Sequence, residues 1–375
     1  MRPRPDPRRV VGVDLARAVA VVGMMAVHVL PGEDAPGLAG ALYAVAHGRA
    51  SGLFAVLAGL SLGLATRRAG AARAAARTSV VVRGLVIALL GLLLVDAGSR
   101  IAIILPYYGV AFAVVLPFLW WPLRRLAVLA GAWLALAPVL SFALREDLGL
   151  PAQYEQPTLD WLARPADLAQ ALLLTGYYPV VGWAGYLLLG LAVSTLDLRR
   201  PAVALRVGLA GALVAAGAWV VSALLLGPGG GRAALEPLAG PLGSVDLYGT
   251  VPTDDPWWLA VAAPHSGTPF DLLHTAGTAV AVIGAACLLP AAVTRFLVPV
   301  AALGALPLTV YTAHVLALSR TDDDSLTLLG LHVLGGVLLA TAWRLLVGRG
   351  PLEALVGQVA AAAGRAVPQR AGRVS

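Results

Sequence analysis

The residues of this sequence that could do chemistry lie inside apolar segments. In VGVDLARAVAVVGMMAVHVLP, residues 11–31, an apolar run is interrupted by Asp14, Arg17 and His28. A charge in hydrocarbon costs at least about 2.5 kcal/mol, so such residues are rare and usually functional. An imidazole can act as a general base or a nucleophile, and a carboxylate three residues from a guanidinium can pair with it. On a helix the three residues share one face, with His28 about 16 Å beyond Arg17.

The next apolar segment also carries a histidine and an arginine. In LYAVAHGRASGLFAVLAG, residues 42–59, His47 and Arg49 lie about two turns inside the predicted span. An arginine at that depth needs a partner in the helix bundle, unless its side chain reaches back to the surface. We therefore predict that Arg49 belongs to a functional site, with a surface-directed side chain as the alternative.

The six histidines all fall in the half of the predicted topology that we assign below to the outer side. They are His28, His47, His265, His274, His314 and His332. Such clustering indicates catalysis or ligand binding there, although histidines are also common near helix ends. Ser266 directly follows His265, but adjacency in sequence is weak evidence for a nucleophile and its base. No helix carries two histidines four residues apart or an HExxH motif, so no metal site is predicted.

The composition indicates a membrane protein. The chain has 375 residues, of which 59% are apolar and 13% are charged, whereas a soluble domain has about 25% charged residues. A span needs about 20 apolar residues. We predict an all-α polytopic bundle of about ten transmembrane helices, at residues 10–30, 41–66, 78–95, 101–121, 124–144, 168–196, 202–226, 270–293, 296–318 and 326–347.

The distribution of arginine predicts the orientation. Most of the 27 basic residues, all of them Arg, fall on one side of the ten spans, which the positive-inside rule assigns to the cytoplasm. The loops on the other side are acidic. Both termini are therefore predicted to be cytoplasmic, with residues 1–350 forming one transmembrane domain and residues 351–375 a tail that is disordered or interfacial. Because the arginines are scattered, nucleic acid is not a predicted partner.

Several motifs together resemble known membrane acyltransferases. VDLARAVAVVGMMAVH resembles the first span of the acyltransferase-3 family in its spacing from Arg to His, and that of the heparan-alpha-glucosaminide N-acetyltransferase family in its Asp and Arg. LFAVLAGLSLGL resembles the second span of the latter family. LPYYGVAFAVVLPFL, GYYPVVGWAGYLLLGLA, APHSGTPFDLLHTAG and LGALPLTVYTAHVLAL resemble its bacterial branch and a related domain of unknown function. The resemblance extends from about residue 9 to residue 318.

This resemblance implies that an acyl group, acetyl as the first candidate, is transferred from cytoplasmic acyl-CoA to an acceptor on the other side. The central histidine is then His28, as in the acyltransferase-3 pattern, or His47, because the heparan family has its catalytic histidine between the first two spans. The heparan family carries Asn where His28 stands here, so the choice stays open. Either histidine would act as a general base or carry the acyl group.

The other candidate residues take roles around that histidine. Arg17, held by Asp14, would bind the phosphates of acyl-CoA, and Arg49 would stabilise the oxyanion or bind an anionic acceptor. On the acceptor side we place His265, Ser266 and His314.

The implied partners are the lipid bilayer of the cell membrane, acyl-CoA as co-substrate and a small-molecule or glycan acceptor. The alternative function is a proton-coupled transporter or exporter of a small solute or lipid intermediate, because intramembrane His and Arg also suit proton relays. Many transporters contain an internal repeat, and none is evident in this sequence.

Overall fold

The chain folds into a helical bundle. The computed structural model describes residues 10–67, 69–242 and 245–368. These residues form no β-strand, only an isolated bridge between Tyr248 and Thr250. The predicted cytoplasmic residues Arg2, Arg4, Arg8, Arg9, Arg68, Arg370 and Arg373 lie outside the described part. The helices are α1 Val11–Val29, α2 Leu38–Ala46, α3 Arg49–Thr66, α4 Arg73–Asp96, α5 Leu105–Val114, α6 Leu123–Leu148, α7 Pro165–Gln170, α8 Val180–Val193, α9 Pro201–Leu226, α10 Gly231–Ala239, α11 Pro269–Leu288, α12 Ala291–Phe296, α13 Val298–Ala305, α14 Pro307–Leu318, α15 Leu326–Leu346 and α16 Pro351–Arg365.

Within the described ranges, seven helices or continuous helix pairs are long and apolar enough to cross a membrane. The number rises to nine when two bent pairs are each counted as one span, namely Pro165–Thr175 with Val180–Val193 and Val298–Ala305 with Pro307–Leu318. Nine of the ten predicted spans coincide with these elements. The tenth, residues 101–121, contains only the ten-residue helix α5 and a short 3₁₀ turn, Leu116–Phe118. A helix of ten residues covers about 15 Å, half of the hydrocarbon core, so this segment is not a full helical span.

Helix α1 lies at the centre of the bundle and packs against α3, α11 and α13. Its approach to α13 is very close, because a Cβ atom added to Gly304 would lie 1.9 Å from the carbonyl oxygen of Asp14. Small residues allow membrane helices to approach in this way. The contact brings the carbonyl group of Gly304 within reach of the Arg17 side chain.

Two breaks in helices give the site its shape. The predicted span 41–66 is interrupted between α2 and α3, where Gly48 has a φ of 72°. A Cβ atom at Gly48 would lie 2.8 Å from the Cβ of Pro264, so the break packs directly on the loop that precedes α11. The second break lies at Leu306, where α13 and α14 meet at 82°. Pro307 begins α14, a position where its missing N–H costs no helical hydrogen bond.

Helix α16 packs against this second break. The carboxylate of Glu353 accepts hydrogen bonds from the backbone N–H of Leu308 at 2.8 Å, from the N–H of Thr309 at 3.0 Å and from the Thr309 hydroxyl at 2.6 Å. An acidic side chain that caps a helix N-terminus is stabilising. Residues 351–365 thus form a helix that packs against α4.

Candidate active site

A cavity of about 450 Å³ lies where the C-terminal end of α1 meets the start of α3. We call it the outer cavity, after the predicted topology. Its walls combine imidazole rings, tyrosine hydroxyls and one ion pair, which suits a polar ligand with a ring or a chain of hydroxyl groups. The polar and aromatic lining residues are His28, Tyr43, His47, Ser51, Arg100, Tyr177, Tyr178, Tyr248, His265, Tyr311 and Asp324.

His28 is the first member of a hydrogen-bonded chain of three histidines. Its Nδ1 lies 3.1 Å from Nε2 of His314, and Nδ1 of His314 lies 2.7 Å from Nδ1 of His332. The rings of His28 and His314 are stacked, with centroids 5.3 Å apart. Because Nδ1 of His28 is engaged in this chain, its Nε2 is the nitrogen left for a ligand in the cavity. A base whose other nitrogen is fixed by a neighbour has the geometry of an oriented general base.

His47 and His265 meet on the opposite wall, with ring centroids 5.3 Å apart. The loop that carries His265 is fixed by the start of α11, where Thr268 accepts a hydrogen bond from the N–H of Asp271 at 3.1 Å. In return, the Asp271 carboxylate accepts one from the N–H of Gly267 at 3.0 Å. This reciprocal arrangement is a variant of the capping box, in which the second bond comes from the residue before the N-cap Thr268. It holds His265 at a φ of 60°, the only positive φ of a residue other than glycine in the described ranges.

Arg100 and Asp324 form the rim of the outer cavity. Nη2 of Arg100 donates to the carboxylate of Asp324 at 2.7 Å and to the carbonyl oxygen of His28 at 3.4 Å. The guanidinium thus joins the end of α1 to the loop before α15. Both side chains are exposed at the cavity mouth, so this pair could open to admit a ligand at little energetic cost.

A second cavity, of about 190 Å³, lies toward the N-terminal end of α1, and we call it the inner cavity. Arg17 forms one wall and is held in place by three groups. Its Nη1 pairs with the Asp14 carboxylate at 3.0 Å and donates to the carbonyl oxygen of Gly304 at 2.9 Å, while its Nη2 donates to the Ser61 hydroxyl at 2.9 Å. The predicted ion pair on α1 is therefore present, and its arginine faces a cavity.

A second guanidinium, that of Arg83 on α4, lines the same inner cavity. Within the described residues Arg83 has neither a hydrogen bond nor an ion pair. Two guanidinium groups beside an otherwise apolar cleft would attract a ligand that carries phosphates on an apolar arm. Glu353, the acidic residue on this wall, is already occupied as the cap of α14.

One side chain, that of Tyr311 on α14, lines both cavities. It is 3% exposed and lies three residues before His314, so both side chains project from the same face of α14. The two cavities therefore lie end to end along α1, with Arg17 on the inner wall and His28 on the outer wall.

The structure brings most of the predicted site residues together, with two exceptions. Arg49 does not line either cavity, because its Nη1 donates to the carbonyl oxygens of Ala44 at 3.1 Å and His47 at 3.0 Å. Ser266 is fully buried with its hydroxyl 3.4 Å from that of Thr268, and it does not reach the outer cavity. Neither side chain lines one of the two cavities, and their roles toward a ligand stay predictions.

Two further predictions concern histidines. His314 lies behind the outer cavity and contacts it only through His28. Five of the six histidines belong to the two groups around this cavity, as their predicted clustering suggested. His274 is separate, because its Nδ1 lies 3.0 Å from the carbonyl oxygen of Ala215.

Several residues of the site were not predicted, namely Arg83, Arg100, Tyr178, Tyr248, Tyr311, Asp324 and Glu353. A signal existed for Tyr311, because its spacing of three residues from His314 puts both on one helix face. The others come from different helices and loops, and their convergence depends on the tertiary fold.

We expect the folded state to lose stability in acid because of the environment of His265. Removal of water and repulsion from His47 and His28 lower the pKa of His265 to about 3, from an ordinary value of 6.5. Between pH 3 and pH 6.5, His265 binds a proton in the unfolded state but not in the folded state. The free energy of unfolding should therefore fall as the pH drops below about 6.5, by at most about 1.4 kcal/mol per pH unit.

Thermal unfolding in detergent at pH 7.5 and pH 5.5 measures this effect. The His265→Gln variant should lose less of its unfolding temperature on acidification than the unmodified protein. An equal loss in both would show that His265 is not the group responsible.

Taken together, the fold and the site define a class of protein: a polytopic helical membrane protein with a cationic inner cavity and a histidine-lined outer cavity in series. The model of the heparan-alpha-glucosaminide N-acetyltransferase catalytic family matches residues 9–222, more than half of the chain. The chain therefore belongs to this family of membrane acetyltransferases, and the predicted resemblance is confirmed. Comparison with curated proteins and with solved structures gave no significant match.

Proposed function

We propose that this protein transfers an acyl group, acetyl as the first candidate, from acyl-CoA in the inner cavity to an acceptor in the outer cavity. The observation that carries the proposal is the arrangement of the two cavities. A cationic cleft suited to phosphates meets a histidine-lined chamber at a single side chain, Tyr311. A donor and an acceptor held on opposite sides of one position can react without either crossing the membrane.

The proposed orientation places the inner cavity on the cytoplasmic side of the cell membrane, with both termini cytoplasmic. It requires the chain to cross between α4 and α6, where no full span exists. Arg100, Ile101, Ala102 and Ile104 line the outer cavity, whereas Leu105, Tyr108 and Phe112 of α5 line the inner one. This path of the chain supports a tenth crossing made partly of non-helical backbone, which membranes tolerate where it is enclosed by protein.

The donor site would use both inner guanidinium groups. Arg17, oriented by Asp14 and Ser61, and the unpaired Arg83 would bind the phosphates of CoA. The pantetheine arm would then extend past the apolar side chains of α3 and α5 toward Tyr311. In this proposal the donor is bound by residues that do not touch the acceptor.

The acceptor site would use His28 as general base. Its Nε2 would take the proton from an acceptor amine or hydroxyl while the acceptor atom forms a bond to the thioester carbonyl carbon. The carbon–sulfur bond then breaks, and the electron pair leaves with sulfur as a thiolate, which takes a proton from water in the inner cavity. His314 would orient His28 and stabilise its positive charge.

The acceptor itself would be a small molecule or a glycan. Tyr178 and Tyr248 contact the ring of His265, and Tyr43 and Tyr177 also line the outer cavity. These four tyrosines offer ring faces and hydroxyl groups to a ligand. Aromatic rings with a polar handle suit a ligand that presents both C–H faces and hydroxyl groups.

Titration of the purified protein with acetyl-CoA, followed by incubation of ¹⁴C-acetyl-CoA with glucosamine and with methyl glucoside, tests the proposed function. We expect saturable binding and label in at least one acceptor. No binding of acetyl-CoA, together with proton-coupled uptake of solute in proteoliposomes, would contradict it and favour the transporter alternative.

Arg49 gives a prediction that separates a structural role from a catalytic one. Its guanidinium supports carbonyl groups at the end of α2, which is worth no more than about 1 kcal/mol. Arg49→Gln should therefore lower kcat/KM for acetyl transfer by less than about fivefold, whereas loss of an oxyanion donor costs about 100-fold or more. Steady-state rates with glucosamine distinguish these values. A loss of about 100-fold would show that Arg49 takes part in the reaction.

A further inference from the structure

Tyr311 forms the contact between the two cavities. It is the one described residue that lines both, and its side chain is almost completely buried. It projects from the second turn of α14, directly after the 82° break at Leu306. Glu353 and the close contact between α1 and α13 hold this break in place, so the position of the ring is determined by three helices.

The backbone N–H of Ile104 faces the oxygen of Tyr311, but the hydroxyl proton has no hydrogen-bond acceptor among the described residues. Buried hydroxyl groups nearly always have a partner, because an unmade hydrogen bond in the interior is costly. The other tyrosines nearby follow the rule. Tyr108 donates to the carbonyl oxygen of Ser51 at 3.3 Å and Tyr178 to that of Ala102 at 3.3 Å. The missing acceptor of Tyr311 therefore points to a ligand atom at the junction of the cavities.

The proposed transfer requires an acceptor atom at this same place. The thioester carbon has to be reached by the acceptor from the outer cavity while CoA stays in the inner one, so the thioester carbonyl lies at the junction. His314, on the same face of α14 as Tyr311, holds His28. His28 and the Tyr311 hydroxyl, whose proton lacks an acceptor, both line the outer cavity beside this junction.

We propose that Tyr311 is the partition between the two cavities and that its hydroxyl donates a hydrogen bond to the thioester carbonyl oxygen. This inference rests on the function proposed above. As the acceptor atom bonds to the carbonyl carbon, negative charge develops on that oxygen, and the hydrogen bond stabilises it. The charge returns to the carbon–oxygen double bond when the bond to sulfur breaks. The tyrosine proton stays on Tyr311 throughout.

The first test uses the Tyr311→Phe variant, which keeps the ring and removes the hydroxyl. We expect kcat for acetyl transfer to glucosamine to fall about 100-fold, with KM for acetyl-CoA changed less than about twofold. Tyr186→Phe is the matched control, because Tyr186 is equally buried and lines neither cavity. A Tyr311→Phe variant with unchanged kcat would overturn the role of the hydroxyl.

The second test examines the partition without relying on catalysis. Cys287 is the only cysteine of the chain, so Cys287→Ser gives a cysteine-free background. Reporter cysteines are then placed in the inner cavity as Ala58→Cys and in the outer cavity as Ala102→Cys. A charged, membrane-impermeant methanethiosulfonate is applied to the outside of intact cells.

We expect the Ala102→Cys reporter to be labelled in every background and the Ala58→Cys reporter only when Tyr311→Ala is also present. Labelling of Ala58→Cys with Tyr311 intact, or its absence with Tyr311→Ala, would overturn the partition. If the unmodified protein transfers no acyl group, the proposed function fails, while the labelling still decides whether Tyr311 separates the cavities.

Discussion

Replacement of His28 by Asn is expected to lower the rate of acetyl transfer by about 100-fold or more, because a general base contributes about 10²–10⁴-fold. The Asn amide can keep a hydrogen bond to His314, so the wall of the outer cavity should remain in place. It cannot take a proton near neutral pH. Since heparan-family members are expected to carry Asn at this position, the variant also tests whether His28 has a role particular to this chain.

The rate is measured with ¹⁴C-acetyl-CoA and glucosamine, alongside the binding of acetyl-CoA, which should not change. His274→Asn is the control, because His274 bonds to the backbone of Ala215 and lines neither cavity. If His28→Asn kept the full rate, the base would have to be sought on the opposite wall, at His47.

Replacement of Arg17 by Gln is expected to weaken the binding of acetyl-CoA by at least about tenfold, the value of one charge-assisted hydrogen bond. The same change also breaks the ion pair between Arg17 and Asp14, and breaking a buried pair costs about 3–5 kcal/mol of stability. A loss of binding by this variant alone could therefore reflect a damaged fold.

The double variant Asp14→Asn with Arg17→Gln separates the two effects. Because it removes both charges, it should recover most of the lost unfolding temperature, while its affinity for acetyl-CoA by calorimetry stays low. Arg124→Gln, an exposed arginine at the start of α6, serves as the control for net charge. Affinity restored in the double variant would show that Arg17 acts on the fold and not on the donor.

The helices were predictable where apolar length alone determines them, and nine of the ten predicted spans follow from it. The ion pair on α1 was predictable for another reason, because residues three apart, such as Asp14 and Arg17, lie side by side on any helix. Segment 101–121 is equally apolar, but its first residues are not helical, and Ile101, Ala102 and Ile104 line a polar cavity. Apolar composition cannot distinguish a helix that faces lipid from non-helical backbone enclosed by protein.

Local turns and a helix break explain why Arg49 and Ser266 lie away from the two cavities. The prediction treated residues 41–66 as one helix, in which the carbonyl groups of Ala44 and His47 would already be satisfied. The break at Gly48 frees them, and Arg49 binds them in place of a ligand. Ser266 adjoins His265, yet the capping box of α11 turns it into the interior. Both outcomes depend on contacts between segments more than 200 residues apart or on local turn geometry.

The position of Tyr311 has a consequence for the energetics of the cell. If the ring keeps the cavities apart, the proton lost by the acceptor appears outside, while the thiolate takes its proton from the cytoplasm. Each turnover then has the electrical effect of moving one positive charge outward. In a cell that is negative inside, this costs about 2.3 kcal/mol for every 100 mV of membrane potential. Acyl transfer would thereby be a voltage-dependent reaction, slowed in energised membranes and accelerated when the potential collapses.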